Sequence, residues 1–144
     1  MPYLEAVDVD DRLVDELWEK LSCAGSYYSI ADGISKDNFR SVLFRSSLVL
    51  RGPQLLVHLS EEKDFVELHP IAFGPECFRY ASEALEDVGK FCERLFAKKP
   101  LCCIIPDGMR GARALARAAG MSEAGGYKRM LSGIEVSCTI FKWR

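Results

Sequence analysis

Phe65-Val66-Glu67-Leu68-His69, a periodic stretch from about 80 to 97, and Leu101-Cys102-Cys103-Ile104-Ile105 together decide the fold. In the middle stretch Ala81, Ala84, Leu85, Val88, Phe91, Cys92, Leu95 and Phe96 recur at spacings of three and four, the stripe of an amphipathic helix. Lys98-Lys99-Pro100 ends that helix, with basic charge at its negative end and a proline stop. The run at 101–105 is apolar throughout, as a strand buried on both faces is. A strand, a helix and a strand in this order imply locally parallel pairing.

Toward the N-terminus, Leu48-Val49-Leu50, Leu55-Leu56-Val57-His58-Leu59 and the run at 65–69 read as an antiparallel meander. Arg51-Gly52-Pro53 and Glu61-Glu62-Lys63-Asp64 supply its turns. Pro70 and Gly74-Pro75 are expected to break the third strand. Residues 3–7 read as a short first strand. Leu13, Val14, Leu17, Trp18 and Leu21 mark a first helix capped by Asp8 or Asp10 and closed by Gly25. A second helix, with Phe39, Val42 and Leu43 on one face, takes Asp37 as its cap. Toward the C-terminus, Asp107 is the expected cap of a helix with a small-residue stripe, Ala112, Leu115, Ala116 and Ala119, which Gly120 ends. Two strands, 124–131 and 134–142, close the chain. The order is β-α-α-β-β-β-α-β-α-β-β: one α+β domain over 1–144, with a mixed central sheet and helices on both faces.

The chain's 144 residues bury a core without staples, and its 49% hydrophobic and 28% charged content is that of an ordinary globular protein. Nineteen basic against 21 acidic residues leave a net charge of −2, which argues against a nucleic-acid partner. No apolar run is long enough to span a bilayer, and the N-terminus lacks the pattern of a signal peptide. Six cysteines without a CxxC spacing read as buried, reduced thiols of a cytoplasmic protein, and with only two histidines the pattern argues against a zinc site.

The element order resembles the GNAT superfamily, the N-acetyltransferases that use acetyl-CoA. The most specific match is Pro106–Met121. Family members commonly carry Asn-x-x-Ala-x-x-Leu followed by Gly-Phe or Gly-Met, and Ala112, Leu115, Gly120 and Met121 fit that pattern. Glu123-Ala124-Gly125-Gly126-Tyr127 resembles the family's sixth strand. Glu67-Leu68-His69-Pro70 and the long loop after it are similar to a phage-associated branch.

The resemblance implies transfer of an acetyl group from acetyl-CoA to an amine, on a small molecule or a protein, by direct attack. The family's pyrophosphate loop, Arg/Gln-x-x-Gly-x-Gly/Ala, corresponds to Arg79-Tyr80-Ala81-Ser82-Glu83-Ala84. Arg79 and Ala84 match and Ser82 replaces the central glycine. Gly74 and Pro75 are an alternative anchor. Backbone N–H groups at such a helix start bind phosphate. Met109 stands where the family often has asparagine, and Ala116 where it often has the tyrosine that protonates the departing thiolate.

Glu67 is the candidate base, with His69 on the same sheet face two residues on; both are otherwise ordinary polar residues of a half-exposed strand. Tyr127 is a substitute acid for Ala116, or a ring packed on the strand. Tyr27 and Tyr28 meet the acceptor, or cap the core. Arg110, Arg113 and Arg117 reach the cofactor's 3′-phosphate, or form a solvated face. Cys102 and Cys103 read as buried and unreactive. The alternative to an enzyme is a GNAT-fold binding or assembly module that has lost catalysis. A homodimer through the last hairpin, burying Ile134, Val136, Cys138 and Ile140, is a further expectation.

Overall fold

The computed structural model describes residues 2–23, 35–131 and 133–143. Seven strands form one mixed sheet in the order β1-β2-β3-β4-β5-β7-β6. They are β1 (Glu5–Ala6), β2 (Leu48–Arg51), β3 (Leu55–Glu61), β4 (Val66–Ala72), β5 (Leu101–Pro106), β6 (Ser122–Leu131) and β7 (Ile134–Trp143). The helices are α1 (Asp11–Cys23), α2 (Lys36–Arg45), α3 (Glu76–Arg79), α4 (Ala81–Leu95) and α5 (Arg110–Ala118). The α+β class, the helices on both sheet faces and, apart from the added short helix α3, the element order are as the sequence pattern indicates.

Strand parity divides the core between the two faces. Val57, Leu59, Val66, Leu68, Cys103 and Phe141 turn to α4 and α5, where Leu85, Val88 and Leu115 cover them. Val49, Leu56 and Ile71 turn to the other face, under Leu13, Leu17, Phe39 and Leu43 of α1 and α2. Truncating any one of these leucines to alanine costs about 2–5 kcal/mol. Helix α4 comes close enough to the sheet that a Cβ on Gly89 would lie 2.3 Å from the Trp143 ring. A glycine in mid-helix lowers helix propensity by about 1 kcal/mol, so Gly89 trades local stability for this approach. Asp87, also on α4, is buried and accepts the Tyr3 and Leu4 amides at 2.7 and 3.0 Å, which ties the segment just before β1 to the helix.

Several local expectations are corrected. Asp10 does cap α1, accepting the Leu13 amide at 2.8 Å. The cap of α2 is Ser35 rather than Asp37; its hydroxyl accepts the Asn38 amide. Asp107 caps nothing. Its carboxylate accepts the Thr139 hydroxyl at 2.7 Å, and α5 starts three residues on, behind Met109, with no side-chain cap. The long helix begins at Ala81, behind the separate turn of α3. The last hairpin's outer edge is β6: β7, with its Ile134–Ile140 face, lies between β5 and β6. Gly25 lies outside the described residues.

The largest departure is Pro70. It does not end β4, which runs on to Ala72. The Val66 amide donates to Pro100 at 2.8 Å, so even-numbered residues of β4 aim their amides toward β5. Proline, which has no amide, therefore sits where its missing donor would face β5. By then β5 has left: the two strands pair only at Val66↔Leu101 and Glu67↔Cys102. A proline costs a strand its ladder bond only where a neighbour is present to accept one.

A cleft between two splayed strands

Beyond Glu67 and Cys102, β4 stays with β3 and β5 stays with β7. The gap between them opens a cleft of about 590 Å³. Leu68–Ile71 form one side and Cys103–Pro106 the other. Phe39, Val42 and Arg45 of α2 roof it, and Met109 and Ala112 close its α5 end. On the α4 side, Leu68, Pro70 and Cys103 also border a small void of about 40 Å³. Ala81 and Ala84 of α4 face Ala116 and Ala119 of α5 across it.

Arg45, Ser60 and a histidine cluster interrupt this apolar lining. His58 and His69 are register partners on β3 and β4. Their rings stack at a centroid distance of 4.5 Å and an angle of 9°. His69 Nε2 lies 3.2 Å from Glu67 Oε2. From the far side Arg129 of β6 donates Nη2 to Glu67 Oε1 at 2.9 Å and to Oε2 at 3.2 Å. Glu67 is only 5% exposed, and a buried carboxylate requires such partners. Its carboxylate in turn raises the Arg129 pKa, chiefly through this hydrogen bond.

Burial pushes the His58 pKa down to about 3, and the neighbouring His69 adds to the shift. His69 is lowered too, first by burial; Glu67 pulls upward and Arg129 opposes it. Both rings are therefore neutral near pH 7. A neutral imidazole keeps a lone pair on one of its two ring nitrogens. Beside a fixed carboxylate, as His69 is, it is a proton acceptor at the wall of an apolar cavity.

The structure thus brings Glu67 and His69 together, and only His69 lines the cleft. Tyr127 stands apart from the cleft lining, 46% exposed, with the Arg129 guanidinium 5.7 Å from its ring centroid. Tyr27 and Tyr28 lie outside the described residues. Arg79 ends α3 with its guanidinium 5.5 Å from the Tyr80 ring. Ala81 and Ala84 are buried against the core, while Ser82 and Glu83 are exposed. The 15-residue α4 starts behind Tyr80 with no side-chain cap. The positive helix end and Arg79 suit a phosphate group, although Glu76 and Glu83 carry opposing charge there. Arg113 and Arg117 both turn to Glu123, at 3.5 and 2.6 Å. Cys103 is inert, its pKa pushed up to about 12 chiefly by burial.

The sequence pattern missed His58 and Arg129. His58 had a usable signal: a turn centred on Lys63-Asp64 pairs residue 58 with residue 69. Arg129 had none, because it reaches Glu67 from 62 residues away in sequence.

Known structures share this architecture over nearly the full chain. An acetyltransferase from Salmonella typhimurium that modifies the N-terminal serine of the 50S ribosomal subunit protein L7/L12 is 11% identical; the match covers 99% of this chain and 95% of that one, at a TM-score of 0.73. A GNAT-family acetyltransferase from Bacillus anthracis is 13% identical over 98% and 94% of the two chains, at 0.69. A ribosomal L7/L12 α-N-protein acetyltransferase in complex with coenzyme A is 12% identical over 99% and 94%, at 0.66. No family model and no curated protein matches the sequence. At these identities the likeness shows the fold: the chain has the architecture of GNAT acetyltransferases.

Proposed function

We propose that this protein is an N-acetyltransferase of the cytoplasm that transfers the acetyl group of acetyl-CoA to an amine by direct attack. The observation that carries the proposal is the His69–Glu67–Arg129 group at the wall of the β4–β5 cleft, in a chain with the acetyltransferase fold. When bound, acetyl-CoA supplies a thioester, an acyl donor activated toward amines. Arg79, Tyr80 and the backbone at Ala81, Ser82, Glu83 and Ala84 are assigned to its pyrophosphate. His69 takes the amine proton on its free ring nitrogen. The Glu67 carboxylate steadies the imidazolium that forms, and Arg129 holds Glu67 in place. Tyr27 and Tyr28 are assigned to the acceptor; Tyr127, exposed and apart from the cleft lining, is not given the part of donor to the leaving thiolate.

Calorimetric titration with acetyl-CoA, followed by an acetyl-transfer assay over a panel of amines, tests this reading. Saturable binding weakened by Arg79→Glu supports it. In the transfer assay His69→Gln is expected to lower kcat about 10²–10⁴-fold, the usual contribution of a positioned general base. Because His69 titrates below the ordinary 6.5, the acid limb of the rate is expected below that pH. No binding at millimolar cofactor overturns the proposal.

A second reading, a binding module without catalysis, is favoured by Met109 and Ala116 standing where the family often has asparagine and tyrosine. Cofactor binding without transfer to any amine would select it.

A further inference from the structure

Three kinds of surface meet in the cleft. Phe39, Val42, Ile71 and Ile104 make most of it apolar. His58 and His69 place two neutral imidazoles on one wall. Arg45, the last residue of α2, is the fixed cation in the lining. Its Nε donates to the Ser41 carbonyl of its own helix at 3.2 Å, and among the described residues no carboxylate pairs with it.

We infer that the acceptor is an amphipathic amine, with an apolar body, a primary amine at one end and a carboxylate at the other. The amine's fate as an acetyl acceptor rests on the proposed function; its binding does not. An apolar body displaces water from the Phe39–Ile104 walls, at about 25 cal/mol for each Å² covered. The amine end meets imidazole acceptors, and the carboxylate end meets Arg45, whose guanidinium fork suits two carboxylate oxygens. Polyamines fit poorly. Their second ammonium would face either an apolar wall or the like charge of Arg45, and both arrangements are unfavourable.

A matched trio of eight-carbon ligands reads this out: 8-aminooctanoate, octylamine and 1,8-diaminooctane, titrated calorimetrically into the protein without cofactor. The expected order of affinity is aminooctanoate, then octylamine, then the diamine. The first step is about fivefold, the upper end for an exposed ion pair. Arg45→Ala is expected to abolish the preference for the carboxylate, and Arg45→Lys to retain part of it. Arg45 is exposed, so neither variant should disturb folding. Diamine binding as tight as that of aminooctanoate, a preference that survives Arg45→Ala, or no binding by any of the three overturns the inference. Adding acetyl-CoA separates the two proposals. Aminooctanoate that binds through Arg45 but is never acetylated sinks the transferase reading and leaves the ligand site standing. Preferential acetylation of the diamine does the reverse.

Discussion

Along one side β4 holds β3 through seven register pairs, from Glu61↔Val66 to Leu55↔Ala72; along the other it meets β5 at two, Val66↔Leu101 and Glu67↔Cys102. The full ladder fixes where each side chain of β4 points, because a one-residue slip would turn every one of them to the opposite face. The short ladder lets β5 diverge and leaves room beside those side chains. One strand therefore serves as scaffold on its β3 side and as cavity wall on its β5 side. Precision and access come from the same residues, Glu67 to Ile71, seen from opposite edges.

The largest test of this contrast is a proline moved by one residue. Ile71→Pro puts the missing amide on the β3 side, opposite Leu56, and is expected to destabilise the protein by about 3 kcal/mol or more in denaturant unfolding. Arg129→Ala should come close behind, at about 3 kcal/mol, because it leaves the buried Glu67 carboxylate without its cation. Glu67→Gln in the same background should recover part of that loss; if it recovers none, the carboxylate is not what Arg129 supports.

The stacked histidines offer a pH test of the β3 side. His58 is neutral in the fold, with a pKa of about 3, and in the unfolded chain it titrates near 6.5. The unfolded state thus binds more protons between those values. The contribution is fully present above pH 6.5 and is lost as the pH falls toward 3. At pH 4.5 the wild type should have lost on the order of 2–3 kcal/mol to this group relative to His58→Gln, read from unfolding midpoints at pH 7 and 4.5. Parallel curves for the two proteins would rule out a buried neutral His58. The smallest effect is expected of Pro70→Ala. Its new amide faces the cleft and not a strand, so stability should change by less than about 1 kcal/mol. A loss comparable to that of Ile71→Pro would mean that β4 and β5 are not splayed at this point.

Much of this was legible in the residues, and unevenly so. The strand–helix–strand unit was readable because its signals are local: an alternating run, a 3.6-residue stripe and a continuous apolar run. Glu67 and His69 could be placed on one face by strand parity alone. Pro70 misled, since proline punctuates a strand only when a partner needs its amide, and the partner's departure is a property of β5. Asp107 misled for a related reason. It is a good capping residue, but the Thr139 hydroxyl, 32 residues away, holds its carboxylate. The Arg79–Ala84 segment was recognisable as a helix start, while the separate turn of α3 before it was not.

By itself, then, the sequence determined the secondary elements and their order apart from α3, the α+β class and the placing of Glu67 and His69 on one face, all of which rest on periodicities of two or 3.6 residues along a single stretch of chain. Only the tertiary structure decided that β4 and β5 part after two pairs, that His58 stacks on His69 and that Arg129 clamps Glu67. Those facts depend on chain segments far apart in sequence, and each is settled by competition for space and for hydrogen-bond partners in the packed interior, which no local pattern encodes.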